Sequence, residues 1–322
     1  NTTSSKVGPI RPMSCDIAYL FPGQGSQAAG MGRALADAYP VARETYAEAD
    51  AILGFPLSEL CFAGPAETLT ETTNAQPAIL TTSIAAWRAL HAARPDLPAP
   101  CCVAGHSLGE YSALVAAGAL AFADAVRLTR TRGELMAAAG RAHPGGMAAI
   151  LKLDDEQVAA LCEQASRESG DSVQVANYNA PGQVVISGGP VGVAAAVELA
   201  RAAGARPRPL AVSIAAHSAL MAPAAAAFAE AVAATPFREP AMPIIGNIQA
   251  RPLQTVAAIR EELVGQLTAS VRWTASIQAM AALGVTRFVE VGPGDVLAGL
   301  MKRILPDAAT ANVRTPEDIA AL

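Results

Sequence analysis

The sequence is poor in charge and has no basic stretch. Only 16% of its 322 residues are Asp, Glu, Lys or Arg, and 28 acidic side chains outnumber 23 basic ones, which gives a net charge of -5. A surface that neutralises phosphates needs clustered Lys and Arg. Nucleic acid is therefore a poor candidate partner.

Long uninterrupted hydrophobic runs are also missing. Alanine-rich stretches such as MAPAAAAFAEAVAA are broken by charges or proline before they reach the roughly 20 residues that a membrane-spanning helix requires. Because 52% of the residues are hydrophobic, the chain can still bury a large core. We expect a compact, soluble, monomeric protein of the cytoplasm with no membrane partner.

Cysteine is scarce and irregularly spaced. The five cysteines, at positions 15, 61, 101, 102 and 162, form neither a disulfide framework nor a zinc-ribbon pattern. Cys101 and Cys102 lie in an apolar run and are expected to be small core residues. The sequence thus predicts unpaired cysteines, a reducing compartment and no metal site.

The first twelve residues, NTTSSKVGPIRP, have no apolar segment and no small-residue cleavage pattern. They precede Met13, where a natural start would fit. We therefore expect residues 1–12 to be a leader that is not part of the native protein.

A strand, a glycine-rich turn and a helix follow one another in DIAYLFPGQGSQ and the residues after it, in CCVAGHSLGEYSALVAAGAL and in RFVEVGPGDVLAGLMKRI. This pattern predicts a parallel sheet whose loops gather at the carboxyl ends of the strands. Between Gly146 and Ser213 the order is instead β-α-β-β-α-β, with the last strand expected at 208–213. The predicted fold is α/β: an α/β-hydrolase-like parallel-sheet core, residues 13–144 and 214–322, with an inserted ferredoxin-like (βαββαβ) subdomain, residues 145–213.

Ser107 is the central residue of a Gly-x-Ser-x-Gly pattern in VAGHSLGEYSAL. A strand before it and a helix after it are what a nucleophile elbow requires, because the tight turn exposes the serine oxygen and directs backbone N–H groups at developing negative charge. We predict that Ser107 is a nucleophile. A structural serine on a tight turn is the alternative.

A serine nucleophile needs a base, and the chain has only four histidines. His217, in VSIAAHSALM, follows a predicted strand and precedes a predicted helix, so it can lie on the same face as Ser107. His106 should point away from Ser107, and His91 and His143 lie in surface stretches. His217 is therefore the candidate base, with a buried structural histidine as the alternative. No Asp occupies an obvious strand-end loop between Ser107 and His217, so a backbone carbonyl could orient the ring instead.

The loop FPGQGSQ can bring backbone N–H groups close to Ser107, where the oxyanion left by attack on a thioester needs donors. Gln24 is flanked by glycines, which suits close approach of the backbone to a ligand. A turn filler is the alternative for Gln24.

Six motifs resemble those of the malonyl-CoA:acyl carrier protein transacylases of bacterial type II fatty acid synthesis: FPGQGSQ, GHSLGEYSAL, TRGELM, VANYNAPGQVVISG, HSALM and VEVGPGDVLAGLMKRI. They occur in the same order and at comparable spacing, and the resemblance covers Asp16 to Ile304. It implies transfer of a malonyl group from malonyl-CoA, by a ping-pong mechanism through malonyl-Ser107, to the phosphopantetheine thiol of acyl carrier protein. Malonyl-CoA is then a substrate, and no cofactor is expected.

The resemblance also implies roles for individual catalytic residues. Ser107 would be acylated, His217 would be its base, and the main-chain carbonyl of Gln266 would orient His217. The oxyanion hole would be formed by the backbone N–H groups of Gln24 and Leu108.

Substrate and carrier contacts follow by the same resemblance. Arg132 would bind the malonyl carboxylate through paired charge-assisted hydrogen bonds, and Asn177 would line the acyl pocket. Ala216 departs from the Phe or Ser that related polyketide acyltransferases often carry before the histidine, and its small size could admit a branched extender. Lys302 and Arg303 are candidates for docking an acidic carrier, although charges at a helix C-terminus also complement the helix dipole.

Three other functions remain open at this stage. A polyketide-pathway acyltransferase would use the same site with a different carrier. An acyl-thioester or ester hydrolase would share the serine and the base but would have no need of Arg132. A carrier-binding or scaffolding subunit would not need Ser107.

Overall fold

The structure, a computed structural model, describes residues 15–322. The predicted leader and Met13 lie outside the described residues. The strands are β1 (Ile17–Phe21), β2 (Cys102–Gly105), β3 (Gly146–Leu151), β4 (Val173–Ala180), β5 (Gln183–Gly188), β6 (Arg206–Pro209), β7 (Ile244–Ile245), β8 (Pro252–Leu253), β9 (Arg287–Val291) and β10 (Ala309–Val313).

The helices before the smaller sheet are α1 (Arg33–Ala38), α2 (Pro40–Leu53), α3 (Leu57–Ala63), α4 (Ala66–Thr70), α5 (Thr72–Ala93), α6 (Gly109–Ala116) and α7 (Phe122–Ala142). The later helices are α8 (Asp155–Ser169), α9 (Pro190–Ala202), α10 (Ala222–Ala234), α11 (Val256–Gly265), α12 (Trp273–Ala282), α13 (Val296–Ile304) and α14 (Pro316–Ala321). No helix in residues 15–322 is both long and apolar enough to cross a membrane.

The larger sheet has the strand order β10-β9-β1-β2-β7-β8, and its neighbours are parallel except for β7 and β8. All five residues of β1 are buried because the sheet is covered on both faces. Alternate side chains of β1 enter different cores: Tyr19 packs on one side, and Ala18 and Leu20 pack on the other. The predicted α/β fold with a parallel sheet is confirmed.

The smaller sheet has the order β4-β5-β3-β6, and all of its neighbours are antiparallel. Its elements follow one another as β-α-β-β-α-β, and α8 begins at an Asp154 capping box. The strand expected at 208–213 is wrong, because β6 spans Arg206–Pro209. Its regular pairing with β3 ends at Pro209 opposite Ala148, and the bonds beyond it, Leu210 N to Met147 O and Gly145 N to Ser213 O, no longer follow the ladder register.

Two cysteines contradict the prediction that all five are unpaired. Cys15 and Cys101 form a disulfide with a Cα–Cα distance of 5.4 Å, whereas Cys61, Cys102 and Cys162 are free and buried. Cys15 precedes β1 and Cys101 precedes β2, so the pairing of these two neighbouring strands brings the sulfurs together across 86 residues of sequence. Cys101 is accordingly only half-buried and lies just outside the strand.

The turn between β2 and α6 lies directly against the end of β1. A Cβ added to Gly109, the first residue of α6, would lie 2.0 Å from the carbonyl oxygen of Phe21 and 2.9 Å from that of Pro22. No side chain fits in that space without displacing backbone. Glycine at this position therefore allows the loop after β1 and the turn after β2 to touch.

We predict that Gly109→Ala destabilises the protein by about 1–3 kcal/mol, because the added methyl group overpacks this contact. Gly299→Ala is the matched control: it also lies in a helix, α13, but its added Cβ meets nothing within 4 Å. That control should be neutral or more stable by about 0.5–1 kcal/mol, since Ala is the better helix former. Urea unfolding measures both, and equal effects would contradict the close contact at Gly109.

Candidate active site

Ser107 lies at the turn between β2 and α6 in a left-handed backbone conformation, with φ of 50°. This conformation is uncommon for a residue with a Cβ and needs support from its surroundings. His106 N donates to Phe21 O at 3.0 Å, and Ser107 N donates to the side-chain oxygen of Asn247 at 2.7 Å. The turn is thus fixed on both sides of the His106–Ser107 peptide.

His217 lies between Ser107 and Gln266. Its Nε2 is 2.8 Å from Ser107 Oγ, and its Nδ1 is 2.8 Å from the main-chain oxygen of Gln266. Because a carbonyl oxygen only accepts, the proton belongs on Nδ1, and Nε2 is free to accept the serine proton. Burial, and next the positive charge of Arg132, lower the pKa of His217 to about 3, so the imidazole is neutral at neutral pH.

Arg132, on α7, is a buried cation that points at the serine. Only 2% of it is exposed. Its NH1 donates to Gln76 Oε1 at 2.8 Å, and its NH2 donates to Gln266 Oε1 at 2.8 Å and to Ser107 Oγ at 3.3 Å. Within residues 15–322 no carboxylate pairs with it at salt-bridge distance. A buried charge without a counter-charge is costly, so this arrangement favours an anionic ligand beside Ser107.

A buried polar network lies behind these residues. The Gln266 side chain donates from Nε2 to Glu110 Oε2 at 2.5 Å and to Ser107 O at 3.1 Å. Glu110 Oε1 accepts from the backbone N of Asn247 at 3.0 Å and from its Nδ2 at 3.2 Å. Burial, and next the neighbouring carboxyl of Glu262, raise the pKa of Glu110.

Four side chains of this network, those of Gln76, Glu110, Asn247 and Gln266, are not predicted by the sequence. Each had a weak signal: Gln76 is a polar residue in the apolar stretch of α5, and Glu110 lies at the start of α6 directly after the serine turn. Asn247 lies two residues after β7, beyond the carboxyl end of a parallel strand, where ligands and catalytic groups gather. Their partners are 56 to 159 residues away in sequence, so no local pattern reveals them.

The two candidate oxyanion donors lie on either side of the serine turn. Leu108 directly follows Ser107, and the loop that carries Gln24 is close to His106, since a Cβ on Gly23 would lie 2.4 Å from His106 O. Neither the Gln24 nor the Leu108 N–H donates a hydrogen bond to another residue of 15–322. Both are therefore free to bind an oxyanion, and this role remains a prediction.

The remaining substrate candidates have fewer contacts with the site. Ala216 precedes His217 and is half-buried against the main core. Asn177 is buried in β4, and its backbone lies beside Val271. In the described residues, the Asn177 side chain has no hydrogen bond. The pocket roles of Ala216 and Asn177 stay predictions.

The two docking candidates differ in their surroundings. Lys302 is exposed near the end of α13. Arg303 donates to Gln183 Oε1 at 2.9 Å and to Pro181 O at 2.8 Å, so its guanidinium ties α13 to the turn between β4 and β5. Arg303 thus has a structural contact that the sequence did not indicate.

The other histidines face away from Ser107. His106 Nε2 bonds Asn179 Oδ1 at 2.8 Å, and its ring lies 5.4 Å from that of Trp273. His91 and His143 are exposed. Among the four histidines, His217 alone contacts the Ser107 hydroxyl.

Comparison with known proteins places this chain in a family. Residues 18–315 match the acyl transferase domain family. The chain is 46% identical to the malonyl CoA-acyl carrier protein transacylase of Salmonella typhimurium over 306 residues. This alignment covers 95% of this chain and 98% of the Salmonella protein.

Solved structures that resemble this one belong to proteins of the same kind. The acyl-carrier-protein S-malonyltransferase of Burkholderia pseudomallei is 44% identical, with a TM-score of 0.91 over 95% of this chain and 98% of that one. A malonyl-transacylase in complex with its type II PKS acyl-carrier protein is 42% identical, with the same TM-score and the same coverage. The resemblance predicted from the six motifs is confirmed, and the chain belongs to the malonyl CoA-acyl carrier protein transacylase family.

Proposed function

We propose that the protein transfers the malonyl group of malonyl-CoA to the phosphopantetheine thiol of an acyl carrier protein and so supplies malonyl units for fatty acid synthesis. The observation that carries this function is Arg132, a buried cation that has no carboxylate at salt-bridge distance within residues 15–322 and lies 3.3 Å from the hydroxyl of Ser107. A serine with a neutral base suits acyl transfer, and the arginine adds a need for a carboxylate on the acyl group.

In the first half-reaction His217 Nε2 takes the proton of Ser107 Oγ while that oxygen attacks the malonyl thioester carbonyl. The carbonyl oxygen becomes an oxyanion, which the N–H groups of Gln24 and Leu108 and the N-terminus of α6 stabilise. The Gln266 carbonyl accepts from Nδ1 and stabilises the imidazolium. When the C–S bond breaks, CoA leaves as its thiol with the proton from His217, and malonyl-Ser107 remains.

In the second half-reaction the same groups act again, and Ser107 is now the leaving group. His217 takes the proton of the phosphopantetheine thiol, whose sulfur attacks the malonyl ester of Ser107. The new oxyanion uses the same donors, and Ser107 leaves with the proton from His217. The free enzyme and malonyl-carrier are the products, which makes the sequence ping-pong.

Arg132 gives this chemistry its substrate preference. A guanidinium binds a carboxylate through two parallel hydrogen bonds. An acetyl group offers no charge and would leave the buried arginine unpaired. Because Gln76 and Gln266 hold Arg132 in place before substrate arrives, its orientation costs little on binding.

The two competing enzymes differ in what they require of the site. A hydrolase of simple acyl esters has no use for a buried arginine beside the serine, so Arg132 argues against it. A polyketide-pathway acyltransferase would keep the arginine and differ in its carrier. The 46–49% identity of nearly the whole chain to curated malonyl CoA-acyl carrier protein transacylases favours the fatty acid enzyme.

Three further features belong to the proposal. The protein acts as a monomer, since Ser107, His217, Gln266 and Arg132 come from one chain and meet there. Exposed Lys302 is the candidate contact for an acidic carrier. The location is the cytoplasm, where the three free cysteines suit a reducing medium and the Cys15–Cys101 disulfide does not.

Brief incubation with malonyl-CoA should add the mass of one malonyl group to the protein, and a phosphopantetheinylated carrier should then remove it. Ser107→Ala should form no adduct, because the attacking oxygen is gone. Intact-mass spectrometry measures all three states. Release of CoA without an adduct would mean that water is the acceptor, and an adduct on Ser107→Ala would remove Ser107 as the nucleophile.

The acylation rate at low malonyl-CoA should change little between pH 7 and pH 5.5. The neutral imidazole is the active base, and with a pKa of about 3 it stays neutral in this range, whereas an ordinary histidine near 6.5 would be about nine-tenths protonated at pH 5.5. Rapid quenching and adduct mass give the rate, and a roughly tenfold fall over this range would contradict the prediction.

The same lowered pKa affects stability. The unfolded imidazole takes up a proton near pH 6.5 and the folded one does not, so this contribution to stability is present above pH 6.5 and is lost as the pH falls from there toward 3. Circular dichroism at each pH shows whether the protein is still folded where the acylation rate is measured.

A further inference from the structure

Glu110 is a buried carboxylate that touches neither the serine hydroxyl nor the base. Its two oxygens accept three hydrogen bonds, from Asn247 N and Nδ2 on one side and from Gln266 Nε2 on the other. All three residues are 0% exposed. The nearby Glu262 accepts a separate bond from Ile248 N. The transfer reaction as described above uses none of these side-chain contacts.

We propose that Glu110 is a positioning residue that sets both the nucleophile, through Asn247, and the carboxylate-binding Arg132, through the side chain of Gln266. This inference rests on the proposed function only for the identity of the acyl group. One carboxylate would then align the serine and the substrate-binding cation with each other.

We call the contacts that lead from Glu110 through Asn247 to Ser107 the nucleophile arm. Asn247 Oδ1 accepts from Ser107 N at 2.7 Å, and Asn247 Nδ2 donates to Gly105 O at 2.7 Å, so one amide joins both sides of the left-handed turn. Glu110 accepts from the same Nδ2. Since that contact requires a donor, Glu110 fixes which end of the Asn247 amide faces Ser107 N.

We call the contacts that lead from Glu110 through the Gln266 side chain to Arg132 the arginine arm. An amide has one oxygen end and one nitrogen end, and the Glu110 oxygen at this contact accepts from the nitrogen end, as Ser107 O does. With Nε2 held by Glu110, Oε1 must face Arg132 NH2, where it accepts at 2.8 Å. A reversed amide would direct N–H groups at a guanidinium, which has no acceptor.

Glu110→Gln tests the two arms separately, because glutamine has the shape of glutamate but one acceptor oxygen fewer. Three donors then converge on a side chain with a single oxygen. That oxygen is expected to stay with the two donors of Asn247, which leaves the new Nε2 facing the Nε2 of Gln266. The Gln266 amide must then turn or shift away from Ser107 O as well. Arg132 loses one of its two glutamine partners, while Ser107 N keeps its bond to Asn247.

The test measures malonyl-adduct formation over a range of malonyl-CoA concentrations, and separately the labelling rate of Ser107 by a fluorophosphonate, which needs the serine and its base but no carboxylate. For Glu110→Gln the half-saturating malonyl-CoA concentration should rise about 10- to 100-fold, the range expected on loss of a hydrogen bond to a charged group. Fluorophosphonate labelling should stay within about threefold of the parent. Circular dichroism and melting temperature establish that the variant is folded.

Glu290→Gln is the matched control, since it removes an equally buried carboxyl group whose hydrogen-bond partners, Leu297 N, Ala298 N and Asn312 Nδ2, lie outside the Glu110 network. Both readouts should stay within about threefold of the parent protein. An equal rise in half-saturating concentration for Glu290→Gln would overturn the proposal, because the effect would then follow from removing any buried carboxyl group.

Asn247→Ala tests the other arm and keeps the proposal open to refutation if Glu110→Gln does not fold. Labelling and the maximal acylation rate should fall together by about 10- to 100-fold, because the left-handed turn loses its amide support, with the half-saturating concentration unchanged. Unaltered labelling of folded Asn247→Ala, or an unaltered half-saturating concentration for folded Glu110→Gln, would overturn the inference. Absence of a malonyl adduct on the parent protein would instead refute the proposed function, and fluorophosphonate labelling would still test the Asn247 arm.

Discussion

The buried, unpaired charge of Arg132 is the constraint on which the rest of the site depends. Within residues 15–322 no carboxylate lies at salt-bridge distance from this guanidinium, which is unfavourable in the interior. Two neutral acceptors compensate in part, because NH1 donates to Gln76 Oε1 and NH2 donates to Gln266 Oε1. The same charge acts on the base: after burial it is the main cause that lowers the pKa of His217 and keeps the imidazole neutral. Arriving substrate then supplies the missing negative charge at the place where the acyl group must lie, so recognition and positioning are one event.

Much of the fold and the two reacting residues could be predicted from sequence, for a physical reason. Parallel strands buried on both faces are continuous apolar runs, and glycine-rich turns mark their carboxyl ends, so Ser107 and His217 were placed from local patterns and a count of four histidines. Arg132 and the Gln266 carbonyl came only from resemblance, because a helix arginine and a chain carbonyl carry no local sign of function. In the structure Arg132 NH2 lies 3.3 Å from Ser107 Oγ, and the main-chain oxygen of Gln266 lies 2.8 Å from His217 Nδ1.

What the sequence could not reveal depends on long-range pairing. Glu110, Asn247 and Gln76 are polar residues whose partners are distant in the chain, and their roles become visible only when the strands and helices are assembled. The disulfide is another example, since Cys15 and Cys101 meet because β1 and β2 are neighbours. The strand β6 is a third, since it is the edge strand beside β3 and its ends depend on that pairing.

Equilibrium binding to Ser107→Ala tests the role of Arg132 most directly, because the variant cannot be acylated and retains the arginine. Calorimetric titration with malonyl-CoA and with acetyl-CoA compares ligands that differ by the carboxylate. We predict that malonyl-CoA binds more tightly by at least about tenfold, as expected for a charge-assisted pair in a buried site, and that adding Arg132→Ala removes the difference. Equal affinities for the two ligands in Ser107→Ala would contradict the claim that Arg132 binds the substrate carboxylate.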